Sequence, residues 1–360
     1  MSFLILEQEK IFFTDIPERI NQDRWSPYSQ AILTFCMAWW SSQNSFGIET
    51  SGTTGPPKTI SWTRALMLWS INNTALALQL KKEMHCLHCI DVSKAGGKMM
   101  LARALQLGMS LEIIEPSANP FNGAISSHYD FAAMVPLQIH RLQAENTIES
   151  LNKIDVLIIG GAALSSSLMA AIQPLQTQIY ATYGMTETAS HIALQHLNGD
   201  KRDLFFRPLN GIKISVGENN CAIITTPFQE HLITNDLIEL QETGAFKLLG
   251  RQDNIINSGG YKISLEKVES AFDKSFTTLK INFFNYCAYK QPDERLGEAL
   301  IVILETPPLE DLILEALKTE LRNYLEKYEM PKYYYFMNSL EYTSSGKIDR
   351  KTSAEKYFSR

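Results

Sequence analysis

The chain has 360 residues, which at about 150 residues per domain predicts two domains with a large core and excludes a single small module. Its 45% hydrophobic, 20% charged and 10% aromatic content is that of a folded globular protein, not a disordered, collagenous or coiled-coil one. Lys plus Arg number 33 against 39 Asp plus Glu, a net charge of -6, so there is no electrostatic footprint for nucleic acid or an anionic membrane, and a small-molecule function is expected.

At the start, Glu7 and Glu9 interrupt the stretch where a signal peptide needs a cationic and then an apolar region, so secretion is not expected. Dense apolar content predicts helices over 25–40, after Asn21 and Asp23 as caps, and over 62–80, after Ser61 and Thr63. The longest apolar run, Ile32 to Trp40 with Thr34 inside it, is far short of the roughly 20 residues that span a bilayer. Between these helices, Ile48 to Ile60 is so rich in Gly, Ser, Thr and Pro that it reads as a functional loop. Short apolar runs then alternate with helical stretches, with strands expected at Ile90 to Val92, Leu111 to Ile114, Phe131 to Val135, Val156 to Ile159 and Gln178 to Ala181. That rhythm implies βαβ units and a mainly parallel sheet. From Ile212 to Leu249, short strands separated by Gly, Asn and Pro predict an antiparallel β-subdomain. Beyond Arg251 an α/β stretch follows, with strands near Ile281 to Ala288 and Ala299 to Ile303 and a helix from Leu309 to Tyr328. The five cysteines, Cys36, Cys86, Cys89, Cys221 and Cys287, are odd in number and irregularly spaced, which suits reduced thiols in a cytoplasmic enzyme. His85-Cys86-Leu87-His88-Cys89 has metal-ligand residue types, but no second cluster stands at finger spacing, so zinc is not expected.

Four segments carry chemistry. In Thr50-Ser51-Gly52-Thr53-Thr54-Gly55-Pro56-Pro57-Lys58-Thr59, hydroxyls and glycines can close backbone N–H groups around phosphate oxygens, and Lys58 adds a point charge. It is not a Walker A loop, because Pro56 and Pro57 stand between Gly55 and Lys58. Thr186 and Glu187, in Tyr183-Gly184-Met185-Thr186-Glu187, lie just past a predicted strand, where a hydroxyl can bond a phosphate, a carboxylate can hold magnesium and Tyr183 can stack on a purine. Gly250 to Glu266 begins where the pattern changes and reads as an interdomain junction. Thr343 to Arg350 places Lys347 in a polar loop.

Taken in order, these segments resemble the adenylate-forming superfamily of acyl- and aryl-CoA ligases, luciferases and peptide-synthetase adenylation domains, over about Ile48 to Arg350. The resemblance implies an α/β fold with a large N-terminal domain (1–252) of mainly parallel sheet layers plus a β-subdomain, and a small, mobile α+β C-terminal domain (253–360). It implies ATP, Mg2+ and coenzyme A as ligands. Thr50, Ser51, Gly52, Thr53, Thr54, Gly55 and Lys58 would cradle pyrophosphate, and Glu187 would hold the metal. Gly160, Gly161 and Ala162 would border adenine, with Tyr183 and Gly184 close by, and Asp236 and Arg251 would bind ribose. The ribose motif reads Thr234-Asn235-Asp236, with Asn in place of the usual Gly. Lys347 would bridge the acid and the α-phosphate, and Asp253 would be the hinge that carries Lys347 away. Gly259 and Gly260 would then admit the pantetheine arm, and Asp293 to Glu298 resembles a further motif near the thioester-forming face.

The phosphate loop begins early for this superfamily, so most of an N-terminal subdomain is expected to be absent. In that compactness, in TETASHIAL (186–194) and in the run Ser93 to Gly108, the chain resembles the short bacterial o-succinylbenzoate-CoA ligases of menaquinone biosynthesis. Their dianionic aromatic acid needs a cation for its second carboxylate, which Lys94, Lys98 or Arg103 could supply, Lys98 being favoured. Ser190 and His191 follow the metal motif closely enough to touch the acyl group, and Ala133 to Pro136 resembles one wall of its pocket. Other aryl or fatty acids, a carrier-protein acceptor and, from a different class, a non-catalytic nucleotide-binding protein are the alternatives. Oligomeric state is not legible in the sequence.

Overall fold

Short strands that are apolar on both faces need helices on both faces, and in the computed structural model they build one large sheet. The structure describes residues 2–22, 24–49, 59–161, 164–281, 285–343 and 348–359. It divides into two compact units, Met1–Ala163 with Ala171–Ile212 and Thr226–Phe228, and Leu164–Ala170 with Lys213–Thr225 and Gln229–Arg360.

In chain order the first part carries β1 (Phe3–Leu6), β2 (Glu9–Phe12), α1 (Ile16–Arg19), α2 (Pro27–Trp40), β3 (Ser45–Glu49), β4 (Thr59–Thr63), α3 (Arg64–Leu78) and β5 (His85–His88). It continues with α4 (Ala95–Leu107), β6 (Ser110–Ile113), β7 (Tyr129–Met134), α5 (Pro136–Ala144), β8 (Ile154–Ile159), α6 (Ser166–Ile172), β9 (Gln178–Gly184), β10 (His191–His196) and β11 (Arg207–Pro208). Among the described residues, nine strands form one sheet in the order β11-β10-β9-β8-β7-β5-β6-β1-β2. The run β1-β6-β5-β7-β8-β9 is parallel throughout, the mainly parallel sheet that the sequence rhythm implies. Because β5 is followed on one side by β6 and on the other by β7, the sheet switches direction there, and crevices at such points favour ligands. Ser26 caps α2 by accepting from Ser29 N, and Thr63 caps α3 by accepting from Leu66 N. Both helices bury apolar stripes, among them Ile32, Leu33, Cys36, Met67 and Ile71.

Three expectations need correction. The strand expected at Ile90 to Val92 lies five residues earlier, at β5, and Ile90 to Val92 belongs to the loop in which Asp91 accepts from Ser93 N and Ser93 Oγ, each at 2.8 Å. The polar look of His-Cys-Leu-His conceals a central strand: Cys86, Leu87 and His88 are fully buried, and His88 Nε2 donates to Gly97 O at 3.0 Å. The helix expected to reach Tyr328 ends at Leu321, because beyond it Leu325 alone stays buried on the stripe while Tyr328 is exposed. The strand expected near Ile281 to Ala288 starts at Tyr286. The N-terminal pair β1 and β2, which the sequence reading passes over, completes one edge of the sheet.

The second unit holds β12 (Lys213–Val216), β13 (Cys221–Thr226), β14 (Gln229–Leu240) and β15 (Phe246–Arg251), an antiparallel sheet in that order. Then come β16 (Ile255–Ser258), β17 (Tyr261–Ser264), α7 (Leu265–Leu279), β18 (Tyr286–Asp293), β19 (Gly297–Leu304), α8 (Asp311–Leu321), β20 (Tyr333–Phe336) and α9 (Arg350–Phe358). Its strands order as β17-β16-β19-β18, with β20 parallel to β19, over a core that includes Phe272, Phe276, Val302, Leu317 and Leu321. Among the described residues no helix is long and apolar enough to cross a membrane.

Burial holds His88 neutral, lowering its pKa from 6.5 to about 4. The folded state thus binds fewer protons than the unfolded chain between these values, so this contribution is complete above pH 6.5 and is lost as pH falls toward 4. It amounts to about 3 kcal/mol over the full window and about 2 kcal/mol by pH 5. Urea unfolding at pH 7.5 and at pH 5 should show the loss, and His88→Gln, though less stable at neutral pH, should show a shallower one.

Candidate active site

The hairpin from β9 to β10 carries the metal motif. A Cβ at Gly184 would sit 2.4 Å from Ser190 O and 2.6 Å from His191 Cα, so the two strands close only around glycine. The chain then makes a 3-10 turn over Thr186–Thr188 that exits through Ala189 at φ 62°. Ala189 N donates to Thr186 O at 3.1 Å. Thr188 Oγ1 accepts from Met185 N at 3.1 Å and lies 2.7 Å from Ser190 O. The same Thr186 carbonyl accepts the indole N–H of Trp62 at 2.7 Å. On this fixed turn Glu187 is exposed and Thr186 half-buried, and among the described residues Glu187 forms no ion pair. A carboxylate beside a hydroxyl is an all-oxygen donor set, which suits a hard divalent ion such as Mg2+.

Behind the turn lies a buried polar chain. Arg103, from α4, is 1% exposed and donates through Nη2 to Ser190 Oγ at 2.6 Å, while its Nε is buried without a partner. Ser190 Oγ is 3.4 Å from His191 Nδ1, and His191 Nε2 is 3.1 Å from Thr74 Oγ1, which donates to Ser70 O at 3.0 Å. Because the Thr74 proton goes to Ser70, His191 Nε2 carries the hydrogen and Nδ1 accepts, which is the neutral tautomer. Burial, then the Arg103 charge, holds the His191 pKa well below its usual value. Burial also lowers Arg103 to about 10, leaving it cationic at neutral pH. Among the described residues no carboxylate pairs with it. Lys98 instead reaches out of α4 and donates through Nζ to Gly47 O at 2.8 Å.

Gly160 and Gly161 follow β8 at the carboxyl end of the sheet, with Gly160 N bonded to Met134 O at 3.2 Å. Tyr183 is buried, its ring 6.0 Å from that of Phe206. The ends of β3 and β4 pair as Glu49↔Thr59, which brings together the two flanks of the phosphate-loop segment. Thr50, Ser51, Gly52, Thr53, Thr54, Gly55 and Lys58 themselves lie outside the described residues, as do Ala162 and Lys347.

In the second unit Asp236 on β14 faces Arg251 on β15 in register. Arg251 Nη1 donates to Asp236 Oδ1 at 3.0 Å, and its Nε and Nη2 fork onto Asp253 at 2.9 and 2.8 Å. That fork holds the Asp253 carboxyl below its usual range and raises Arg251. Asn235 is accommodated within a continuous strand: Thr234 Oγ1 bonds Ala222 O and accepts Asp236 N, while the Asn235 side chain bonds Asp253. Gly259 and Gly260, at φ 58° and 86°, are the two turn residues of the β16–β17 hairpin, where both central positions need positive φ. Asp293 accepts Arg295 N and Leu296 N and so closes the β18–β19 turn. The flanks of the Lys347 segment meet in a Tyr342↔Ile348 bridge, and past it Arg350 forks onto Glu269 at 3.0 and 2.6 Å.

The sequence reading missed Trp62 and the Ser70–Thr74 end of the buried chain. The one weak signal was a tryptophan in a Ser-Thr stretch.

Comparison with known proteins places these features. The family model described as "AMP-binding enzyme" matches residues 40–219, half of the 360 residues. The 2-succinylbenzoate–CoA ligase of Staphylococcus aureus (strain MSSA476) is 24% identical over 332 residues, 84% of this chain, and this chain spans 65% of that protein's length. A solved acyl-CoA synthetase (AMP-forming)/AMP-acid ligase II-like protein from Dyadobacter fermentans DSM 18053 is 34% identical, with TM-score 0.62 over 94% of this chain and 97% of that one. The o-succinylbenzoate CoA synthetase of Bacillus subtilis, solved with its acyl-adenylate intermediate, shares the fold at TM-score 0.71 and 21% identity over 85% of this chain and 68% of that one. With half of its length, the Thr186–Glu187 turn included, matched by the family model, the chain belongs to the AMP-binding enzyme family.

Proposed function

We propose that the protein is an AMP-forming acid–CoA ligase acting in the cytoplasm on an aromatic acid with a second carboxylate, o-succinylbenzoate being the best fit. The observation that carries the choice of acid is Arg103, a buried cation beside Ser190 and His191 with no carboxylate partner among the described residues. An uncompensated buried charge is costly, and an anionic substrate group arriving there would offset that cost. The name of the S. aureus relative supports the same acid.

The chemistry answers a physical problem: a carboxylate is a poor electrophile, and a thiol does not expel oxide from it. Attack of a carboxylate oxygen on the α-phosphorus of ATP expels pyrophosphate and leaves a mixed anhydride. Attack of the CoA thiol on its carbonyl then expels AMP. Glu187 would hold magnesium, which would supply charge neutralisation at the phosphates, and the Thr186 hydroxyl would bond a phosphate. Residues 50–55 and Lys58 bind the departing pyrophosphate, and Gly160, Gly161, Ala162, Tyr183 and Gly184 border the nucleotide. Asp236 and Arg251 hold ribose. Lys347 donates to the acid and the α-phosphate in the first step, and a turn about Asp253 removes it for the second, when Gly259 and Gly260 flank the pantetheine arm.

An exchange assay and three variants test this reading. Acid-dependent exchange of pyrophosphate into ATP should be far faster with o-succinylbenzoate than with benzoate. Arg103→Met should cut kcat/KM for the dianion about 100-fold, the scale of a lost buried charge pair, with little change for benzoate. Equal losses for both acids would remove Arg103 from the substrate site. Lys347→Ala should slow adenylation by about 100-fold or more while sparing thioester formation from supplied acyl-adenylate. Asp253→Pro, which restricts φ, should do the opposite. Parallel losses in both half-reactions would remove the two-state use of the site.

A further inference from the structure

The phosphate-loop hairpin and the metal-motif turn are far apart in sequence, yet one hydrogen bond joins them. β3 and β4 pair in continuous register from Ser45↔Thr63 to Glu49↔Thr59, so the hairpin sets where both flanks of residues 50–58 stand. Its position is well determined from behind. Phe46 packs against Phe35 and Trp39, with ring centroids 5.6 Å away in each case, and the Arg64 guanidinium lies 4.7 Å from the Trp39 ring. Lys98 Nζ donates to Gly47 O from the side. Opposite Phe46 in the register stands Trp62, fully buried and among the largest side chains at zero exposure. A buried indole N–H is costly unless bonded, and this one is given to Thr186 O at 2.7 Å, in the peptide group that joins Thr186 to Glu187.

We propose that Trp62 is a positioning residue that ties the Thr186–Glu187 turn to the β3–β4 hairpin, so that Glu187 keeps one place relative to the described ends of that hairpin, Glu49 and Thr59. The inference rests on the reading of Glu187 as the magnesium carboxylate. Packing alone would be served by any large apolar ring at this position. The tie needs the N–H, and that difference can be measured.

The test is calorimetric binding of ATP, without acid, to the full chain at graded Mg2+, with AMP binding as the control. Two variants are used: Trp62→Phe, and replacement of Trp62 by benzothienylalanine, which keeps the ring shape without the N–H and so stays informative where Trp62→Phe does not fold. In both, the Mg2+ concentration that half-maximally tightens ATP binding should rise about three- to tenfold, the value of one hydrogen bond, with AMP affinity unchanged. An unchanged Mg2+ requirement in the benzothienylalanine protein overturns the proposal. So does equal weakening of ATP and AMP, which would mark Trp62 as packing only. Glu187→Gln separates the two readings: if it leaves the Mg2+ dependence intact, the metal assignment falls whatever Trp62 does. If it abolishes the dependence while the Trp62 variants do not shift it, only the tie falls.

Discussion

The closure of β9 onto β10 around Gly184 is the constraint from which the first unit's chemistry follows. With no Cβ in the way, the Ser190 carbonyl and His191 Cα come as close as 2.4 and 2.6 Å to where one would stand, and the intervening residues fold into a single tight turn. One turn therefore serves two directions. Thr186 and Glu187 stand on its outer side, where a phosphate-bound cation could be met. Ser190 and His191 begin the strand on its inner side, in contact with Arg103 and Thr74. Displacing this hairpin would move Glu187, the proposed metal carboxylate, together with Ser190 and His191, the proposed acyl-side groups, so under that proposal activation and the choice of acid are not independent properties.

The two histidines of the first unit's interior show how a low-dielectric site keeps its protons in order. His88 and His191 are both buried and both neutral, yet each has a defined partner: Gly97 O for the first, Thr74 Oγ1 for the second. In the second case, hydrogen-bond polarity runs in two directions from the imidazole. Arg103 donates to Ser190 and Ser190 faces Nδ1, while Nε2 donates to Thr74 and Thr74 to Ser70. A protonated His191 would be a buried charge near the Arg103 cation, so the fold favours a single charge there, on the arginine.

What was legible in the sequence was whatever the backbone itself must do. Runs of Gly, Ser and Thr before Pro56-Pro57-Lys58, the Tyr-Gly-Met-Thr-Glu turn and the paired glycines at 259 and 260 announce themselves because few residues tolerate those conformations. The parallel sheet was legible because apolar strands alternate with helices. β5 was misplaced because His85, Cys86 and His88 look unlike a strand, and a central strand shows its character only once its neighbours cover it. Arg103 was one of three cations the sequence offered, but neither its meeting with Ser190 nor that of Trp62 with Thr186 was legible, for a different reason. Each acts through a partner 124 or 87 residues away, and no local pattern encodes such a meeting. Lys98 drew attention by its place in the segment, but its ammonium is spent on Gly47 O, whereas Arg103, one and a half turns further along α4, turns inward.

The second unit uses charge differently. Arg251 divides its donors between Asp236 and Asp253, and the side chains of Arg251 and Asp253 are 42% and 36% exposed. An ion pair so exposed to water contributes only about 0.2 to 1 kcal/mol, even though its forked geometry fixes orientation well. The contrast with Arg103 is one of purpose. A buried cation with no carboxylate partner among the described residues is expensive, which is what the proposed substrate carboxylate would offset. A solvated fork is cheap to make and to break, so Asp253 can be held in register in one state and released in another without a large barrier. For a residue proposed as the pivot of a two-step reaction, a weak but well-directed partner is the physically appropriate kind. The same guanidinium also reaches Asp236, so the proposed ribose carboxylate and the proposed pivot share one cation, and a change in how Arg251 apportions its donors is felt at both.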